Sequence, residues 1–112
     1  MRIVDAQIKA TLELRRLFNL KADLTCTVYL YVDKVSNRKR RPWVGVRVAE
    51  ISFYNASGGA SFMQVDIPYG LLLCAAVERY ILALVDGWED IEIEEELWRL
   101  EEVVRYCQTE KE

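Results

Sequence analysis

The residues best equipped for chemistry lie in and around one basic segment. Lys34, Arg38, Lys39, Arg40, Arg41 and Arg47 place six cations in residues 34–47, a stretch without an acid. Alternating apolar runs flank it. TCTVYLYVD at 25–33 sets Tyr29 and Tyr31 opposite Cys26, Val28, Leu30 and Val32. WVGVRV at 43–48 sets Trp43, Gly45 and Arg47 opposite Val44, Val46 and Val48, and SFMQVDI at 61–67 adds Phe62 and Gln64 in the same sense. Rings on a sheet face beside guanidinium groups suit unpaired nucleobases. Each base stacks on a ring for about 1–3 kcal/mol whatever its sequence, while Arg and Lys neutralise phosphates. Bases held in a duplex do not offer their faces in this way.

Composition removes several other chemistries. The chain has 112 residues and no histidine, which excludes Ser-His and Cys-His nucleophile pairs, histidine general bases and histidine metal sites. Cys26, Cys74 and Cys107 are far apart and form no CxxC pair, so neither a disulfide framework nor a zinc site is expected. Each sits at an apolar position and reads as a buried thiol. A carboxylate or lysine enzyme would need acids set in an apolar surround, which no segment provides. The expectation is a non-catalytic protein with no cofactor and no metal.

The elements that must position the basic segment follow from periodicity. Residues 3–20 predict a helix, with Ile3, Ala10, Leu14 and Leu17 on one stripe and Val4, Ile8 and Phe18 beside it. Asn19 is placed to end it, since Asn tolerates the left-handed conformation. Residues 25–33 and 43–54 predict two strands. The second changes phase beyond Glu50, where Ile51 and Phe53 become the apolar positions, so a bulge is expected near Ala49–Glu50. Residues 61–67 predict a third strand after the NASGGA turn, giving an antiparallel meander. Pro68 suits a helix start, and Tyr69 to Val85 carries only Glu78 and Arg79 as charges, which predicts a helix buried on more than one side.

Asp86-Gly87 interrupts the chain before a last helix at about 89–108. There Ile93, Leu97, Leu100, Val104 and Cys107 form a heptad-like seam, with Glu95–Arg99 and Glu101–Arg105 as i,i+4 pairs. The seam fits either an amphipathic helix on its own domain or a dimer helix widened by Trp98, Val103 and Tyr106. The acids Asp86, Glu89, Asp90, Glu92, Glu94, Glu95 and Glu96 lack the spacing of a calcium loop and suit a helix N-terminus.

The fold class expected is therefore α+β in one domain. An N-terminal helix precedes a three- to four-stranded antiparallel twisted sheet, a buried helix and a C-terminal amphipathic helix able to dimerise. The helix at 3–20 also has an apolar stripe to bury. Laid over the aromatic face it would turn Tyr29, Tyr31, Trp43 and Phe62 into a second core layer; otherwise they form an open binding face.

The order of strand, basic loop, strand, Gly turn, strand, Pro and helix, carried by VYLYV at 28–32, RKRRPWVGVRV at 38–48 and SFMQVDIPYGLLL at 61–73, resembles two groups of single-strand binders. One comprises transcriptional coactivators built on a curved sheet backed by a helix. The other comprises the archaeal ThermoDBP-like single-stranded DNA-binding proteins. The likeness spans roughly residues 25–85 and implies sequence-tolerant binding of single-stranded DNA or RNA by an oligomer; the Arg/Glu pairs, separately, would suit a thermophile.

The nucleic-acid contacts expected are Tyr29, Tyr31, Lys34, Arg38, Lys39, Arg40, Arg41, Trp43, Arg47 and Phe62. The expected partners are single-stranded DNA or RNA and a second copy bound through the C-terminal helices. No apolar run is long enough to span a membrane and no secretory signal is evident, so a cytoplasmic setting is expected. The competing reading is a protein–protein adaptor or regulatory oligomer that uses apolar helices 69–85 and 89–108.

Overall fold

The N-terminal helix ends for a local reason. α1 spans Ile3–Leu17, Phe18 caps it, and Asn19 takes φ of 52°. The Asn19 N–H then donates to the Arg16 carbonyl at 3.1 Å and the Leu20 N–H to the Arg15 carbonyl at 3.1 Å, the paired bonds of a Schellman cap. Leu20 packs back on the core. The computed structural model describes residues 1–20, 24–35, 43–55 and 67–109. Beyond α1 these comprise β1 at Leu24–Val35, β2 at Trp43–Asn55, α2 at Ile67–Val85 and α3 at Asp90–Thr109.

β1 and β2 pair antiparallel. Cys26↔Phe53, Val28↔Ile51, Leu30↔Val48 and Val32↔Val46 form one phase of the ribbon. Thr27↔Ser52, Tyr29↔Glu50 and Tyr31↔Arg47 form the other. The register shifts between Tyr29 and Leu30, with Ala49 as the extra residue, so the bulge lies where the phase change in the sequence demands it. Residues 61–66 of the expected third strand, with most of the glycine turn before it, lie outside the described residues; Ile67 opens α2. β1 runs two residues further than the alternation indicates, so Lys34 belongs to the strand and pairs with Val44.

The architecture is α+β, with all three helices joined to the aliphatic phase of the ribbon through one core. Ala6, Ala10 and Leu14 of α1, Cys26 and Val28 of β1, Phe53 of β2, Val77, Tyr80 and Ile81 of α2, and Leu100, Val104 and Cys107 of α3 are buried together. α1 lies against β1 and α2 against β2. Phe18 meets Phe53 edge to face, with ring centroids 5.2 Å apart. The Gln7 side-chain amide donates to the Val28 carbonyl at 2.6 Å, and the Glu78 carboxylate accepts from the Val48 N–H at 3.4 Å. α1 and α2 thus each supply a polar side chain to the backbone of the strand beneath.

α2 ends as Asp86-Gly87 suggests: Gly87 has φ of 67°, and the Trp88 N–H donates to the Ala83 carbonyl at 3.0 Å. No neighbouring atom crowds Gly87, so its backbone angle alone favours glycine.

Two expectations change. Val4 and Ile8 do not flank the buried stripe of α1; the small residues Ala6 and Ala10 occupy its centre, while Val4, Ile8 and Leu12 are exposed. The seam of α3 is spent within the chain. Leu100, Val104 and Cys107 are buried in the core, with Ile93 and Leu97 packed against it. Pairing with a second copy through the C-terminal helices would have to use their other faces. No helix among the described residues is long and apolar enough to cross a membrane.

Cys26 and Cys107 are buried, whereas Cys74 is half-buried on α2. Burial pushes the Cys26 thiol up to about 12 and the Tyr80 hydroxyl to about 12, with Glu13 adding to the second. Both groups hold their protons more tightly folded than unfolded, where they titrate near ~8.5 and ~10. Their contribution to stability is complete below those values and is lost as pH rises toward the folded ones. The urea midpoint is therefore expected to hold steady to about pH 8 and to fall between about pH 9 and 11. In Cys26→Ala the fall should be shallower, carried by Tyr80 and by Cys74, whose thiol is also pushed up by burial and by the nearby Glu78. A wild-type midpoint that stays level up to pH 11 would refute this account.

Candidate nucleic-acid interface

The bulge determines what stands opposite the tyrosines. Carried straight on from Tyr29↔Glu50, the ladder would pair Tyr31 with Val48; the extra residue makes that partner Arg47. An aromatic residue therefore meets a cation across the ribbon, in the phase opposite the core. Four pairs further on, Val35 meets Trp43 in this same phase. Lys34 falls in the other phase, with Val28 and Leu30, and so does not extend the Tyr29 row.

α1 does not cover Tyr29. It packs toward the aliphatic phase, and Tyr29 remains 44% exposed, with Arg47 and Glu50 also exposed. The face closes toward its other end, where Ser52 is buried and Thr27 half-buried. The open part thus starts at the Tyr29–Glu50 pair and leads toward Arg47. Glu50 adds a negative charge beside Tyr29, so the cation opposite Tyr31 matters to the balance of this surface. The side chains of Tyr31, Lys34 and Trp43 lie outside the described residues, as do Arg38, Lys39, Arg40, Arg41 and Phe62 entirely.

A second concave feature, not anticipated from the sequence, lies between α2 and α3. A groove of about 490 Å³ is lined by Leu72, Ala75, Ala76 and Val103 together with Arg99, Glu102 and Tyr106. At its base Glu96 is buried, and the Arg79 guanidinium donates to its carboxylate at 2.7 Å. The same guanidinium stands 5.3 Å from the Trp88 ring centroid, within cation–π range. Glu101 and Arg105 form their expected pair at 3.1 Å. Glu95 and Arg99 do not, and Arg99 faces the groove instead. The other acids between Asp86 and Glu95 are exposed, as a solvated helix start requires. The advance signal for the groove was Ala75-Ala76, two adjacent small residues on α2.

These features define an α+β domain whose three helices back one phase of an antiparallel ribbon and leave part of the other phase to solvent. Comparison with protein-family models, curated proteins and solved structures finds no match to this chain.

Proposed function

We propose that this chain is a non-catalytic binder of single-stranded DNA or RNA with little sequence preference, using the outer phase of the β1–β2 ribbon. Tyr29, Tyr31, Trp43 and Phe62 stack bases. Arg47 and the cations Arg38, Lys39, Arg40 and Arg41 contact phosphates, while Lys34, in the opposite phase, drops out of the set. The observation that supports this most directly is the exposure of Tyr29 and Arg47 on one phase of the ribbon, with α1 packed on the opposite phase. The pattern likeness to the ThermoDBP-like group leads to the same reading.

Fluorescence anisotropy with a labelled oligonucleotide tests it. Binding should weaken with salt, the slope of log K against log salt growing by about 0.7 for each phosphate contacted. Tyr29→Ala should cost roughly 5- to 150-fold in affinity, the equivalent of ~1–3 kcal/mol of lost stacking. Arg40→Ala with Arg41→Ala should flatten the salt slope by about 1.4. Absence of binding at low salt, or equal affinity for duplex, would reject the proposal.

The α2–α3 groove favours a second reading, a protein–protein adaptor whose partner seats an apolar side chain against Ala75 and Val103. Its mark would be a stoichiometric heteromeric complex formed without nucleic acid and abolished by Ala75→Arg. Under that reading Tyr29→Ala leaves the complex intact.

A further inference from the structure

α1 carries two apolar stripes, and only one meets the core. Ala6, Ala10 and Leu14 face inward, whereas Val4, Ile8 and Leu12 recur every fourth residue on the outer side, 57%, 54% and 56% exposed. Such a row amounts to one side of a helix–helix contact rather than scattered surface residues. Its charges are arranged along the axis. Asp5 is exposed near the N-terminal end, and Arg15 and Arg16 stand in the last turn. Among the described residues neither Asp5 nor Arg15 makes an ion pair or a side-chain hydrogen bond, while Arg16 is held by Glu13 at 2.8 Å.

This pattern is self-complementary under one operation. A two-fold axis passing level with Ala10 sets two copies of α1 antiparallel. Ile8 of each copy then lies level with Leu12 of the other, and Asp5 lies level with the Arg15–Arg16 end. A parallel arrangement would set Arg15 against Arg15 and Asp5 against Asp5, and would align the helix dipoles unfavourably. A two-fold contact also closes on itself, so it produces a dimer and not a fibre. We infer that this chain forms a homodimer through the outer face of α1, by antiparallel packing of Val4, Ile8 and Leu12 with Asp5 beside the partner's arginine end.

The contact is small. α1 has 15 residues and is about 22 Å long, so one of its faces falls short of the ~800 Å² per partner of a standard interface. The dimer should therefore form in the micromolar to near-millimolar range, visible as a concentration-dependent mass. It leaves the β1–β2 outer phase and the α2–α3 groove uncovered, and it stands whether or not the chain binds nucleic acid.

Sedimentation velocity across a concentration series tests it directly. The wild type should shift from monomer to dimer. Ile8→Glu should weaken the dimer at least tenfold with the helical circular dichroism unchanged, because Ile8 points away from the core. Orientation is read by cross-linking, in a Cys74→Ala background so that only introduced thiols are accessible. A mixture of Val4→Cys and Arg15→Cys chains should form a heterodimeric disulfide far faster than Val4→Cys does alone. A monomer at every concentration overturns the inference, as does a dimer indifferent to Ile8→Glu. Preferential self-cross-linking of Val4→Cys overturns the antiparallel arrangement.

Discussion

Leu100→Ala is expected to destabilise the chain by about 3 kcal/mol, and by the same amount at low and high protein concentration. Leu100 is fully buried, and Val104 and Cys107 continue its row into a core shared with α1, α2 and the ribbon. Truncation forfeits the transfer free energy of the lost methyl groups and leaves a cavity that packed neighbours fill only in part, a combined cost of about 2–5 kcal/mol. A domain of this size has about 5–15 kcal/mol in all, so the urea midpoint should fall by roughly 1–2 M. The concentration dependence carries the structural information. Had the heptad-like seam of α3 joined two subunits, the loss would shrink on dilution, since the association term that the truncation weakens contributes less at low concentration. Equilibrium unfolding of wild type and variant at two concentrations decides the matter. A deficit that changes with concentration, or one below 1 kcal/mol, would mean that the seam is not packed inside its own chain.

The second large effect concerns Glu96. Its carboxylate is buried and bonded to Arg79, whose own side chain is 57% exposed and lies near the Trp88 ring. Removing the guanidinium leaves a carboxylate facing apolar side chains without its partner. For a fully buried pair that costs about 3–5 kcal/mol; solvent at Arg79 screens this one, so Arg79→Ala should cost about 2 kcal/mol. The burial penalty belongs to the charge and not to the pair. Combining Arg79→Ala with Glu96→Leu should therefore recover most of the loss, because an apolar side chain of similar volume needs no counter-ion. A double-mutant cycle by urea unfolding measures this. Additive losses, or an Arg79→Ala deficit under 0.5 kcal/mol, would show that the pair contributes no more than an ordinary surface bridge.

The proposed interface was partly legible in advance, because strand alternation is a local property. Side chains on a strand alternate between faces, so VYLYV and WVGVRV sort their own residues, and the phase change at Ile51 requires an extra residue somewhere before it. That logic places Tyr29 and Arg47 on one side. Alternation cannot tell where a strand stops inside a polar segment, which is why Lys34 joins β1 and falls in the opposite phase. Nor can it find Glu96, which differs from the acids around it only because Arg79, seventeen residues away, closes over it.

The sequence by itself determined the three helices, the pairing of the first two strands and the ends of α1 and α2. Asn19 and Gly87 adopt the positive φ their side chains permit, the alternating runs pair as a bulged ribbon, and the seam of α3 is apolar where it must be buried. These outcomes depend on backbone sterics and on periodicities of two and 3.6 residues, which act within a few positions. Tertiary structure alone decided which surfaces are used. The stripe of Ile3, Ala10, Leu14 and Leu17 was legible in α1, but whether Val4 and Ile8 beside it are also buried was not. Ala6 and Ala10 settle it by letting the helix approach the core closely, which places Val4, Ile8 and Leu12 outside. The same docking keeps α1 off Tyr29, because the core it completes lies on the other phase of the ribbon. How far burial extends around an element depends on the shape of its neighbours, which the pattern within the element does not contain.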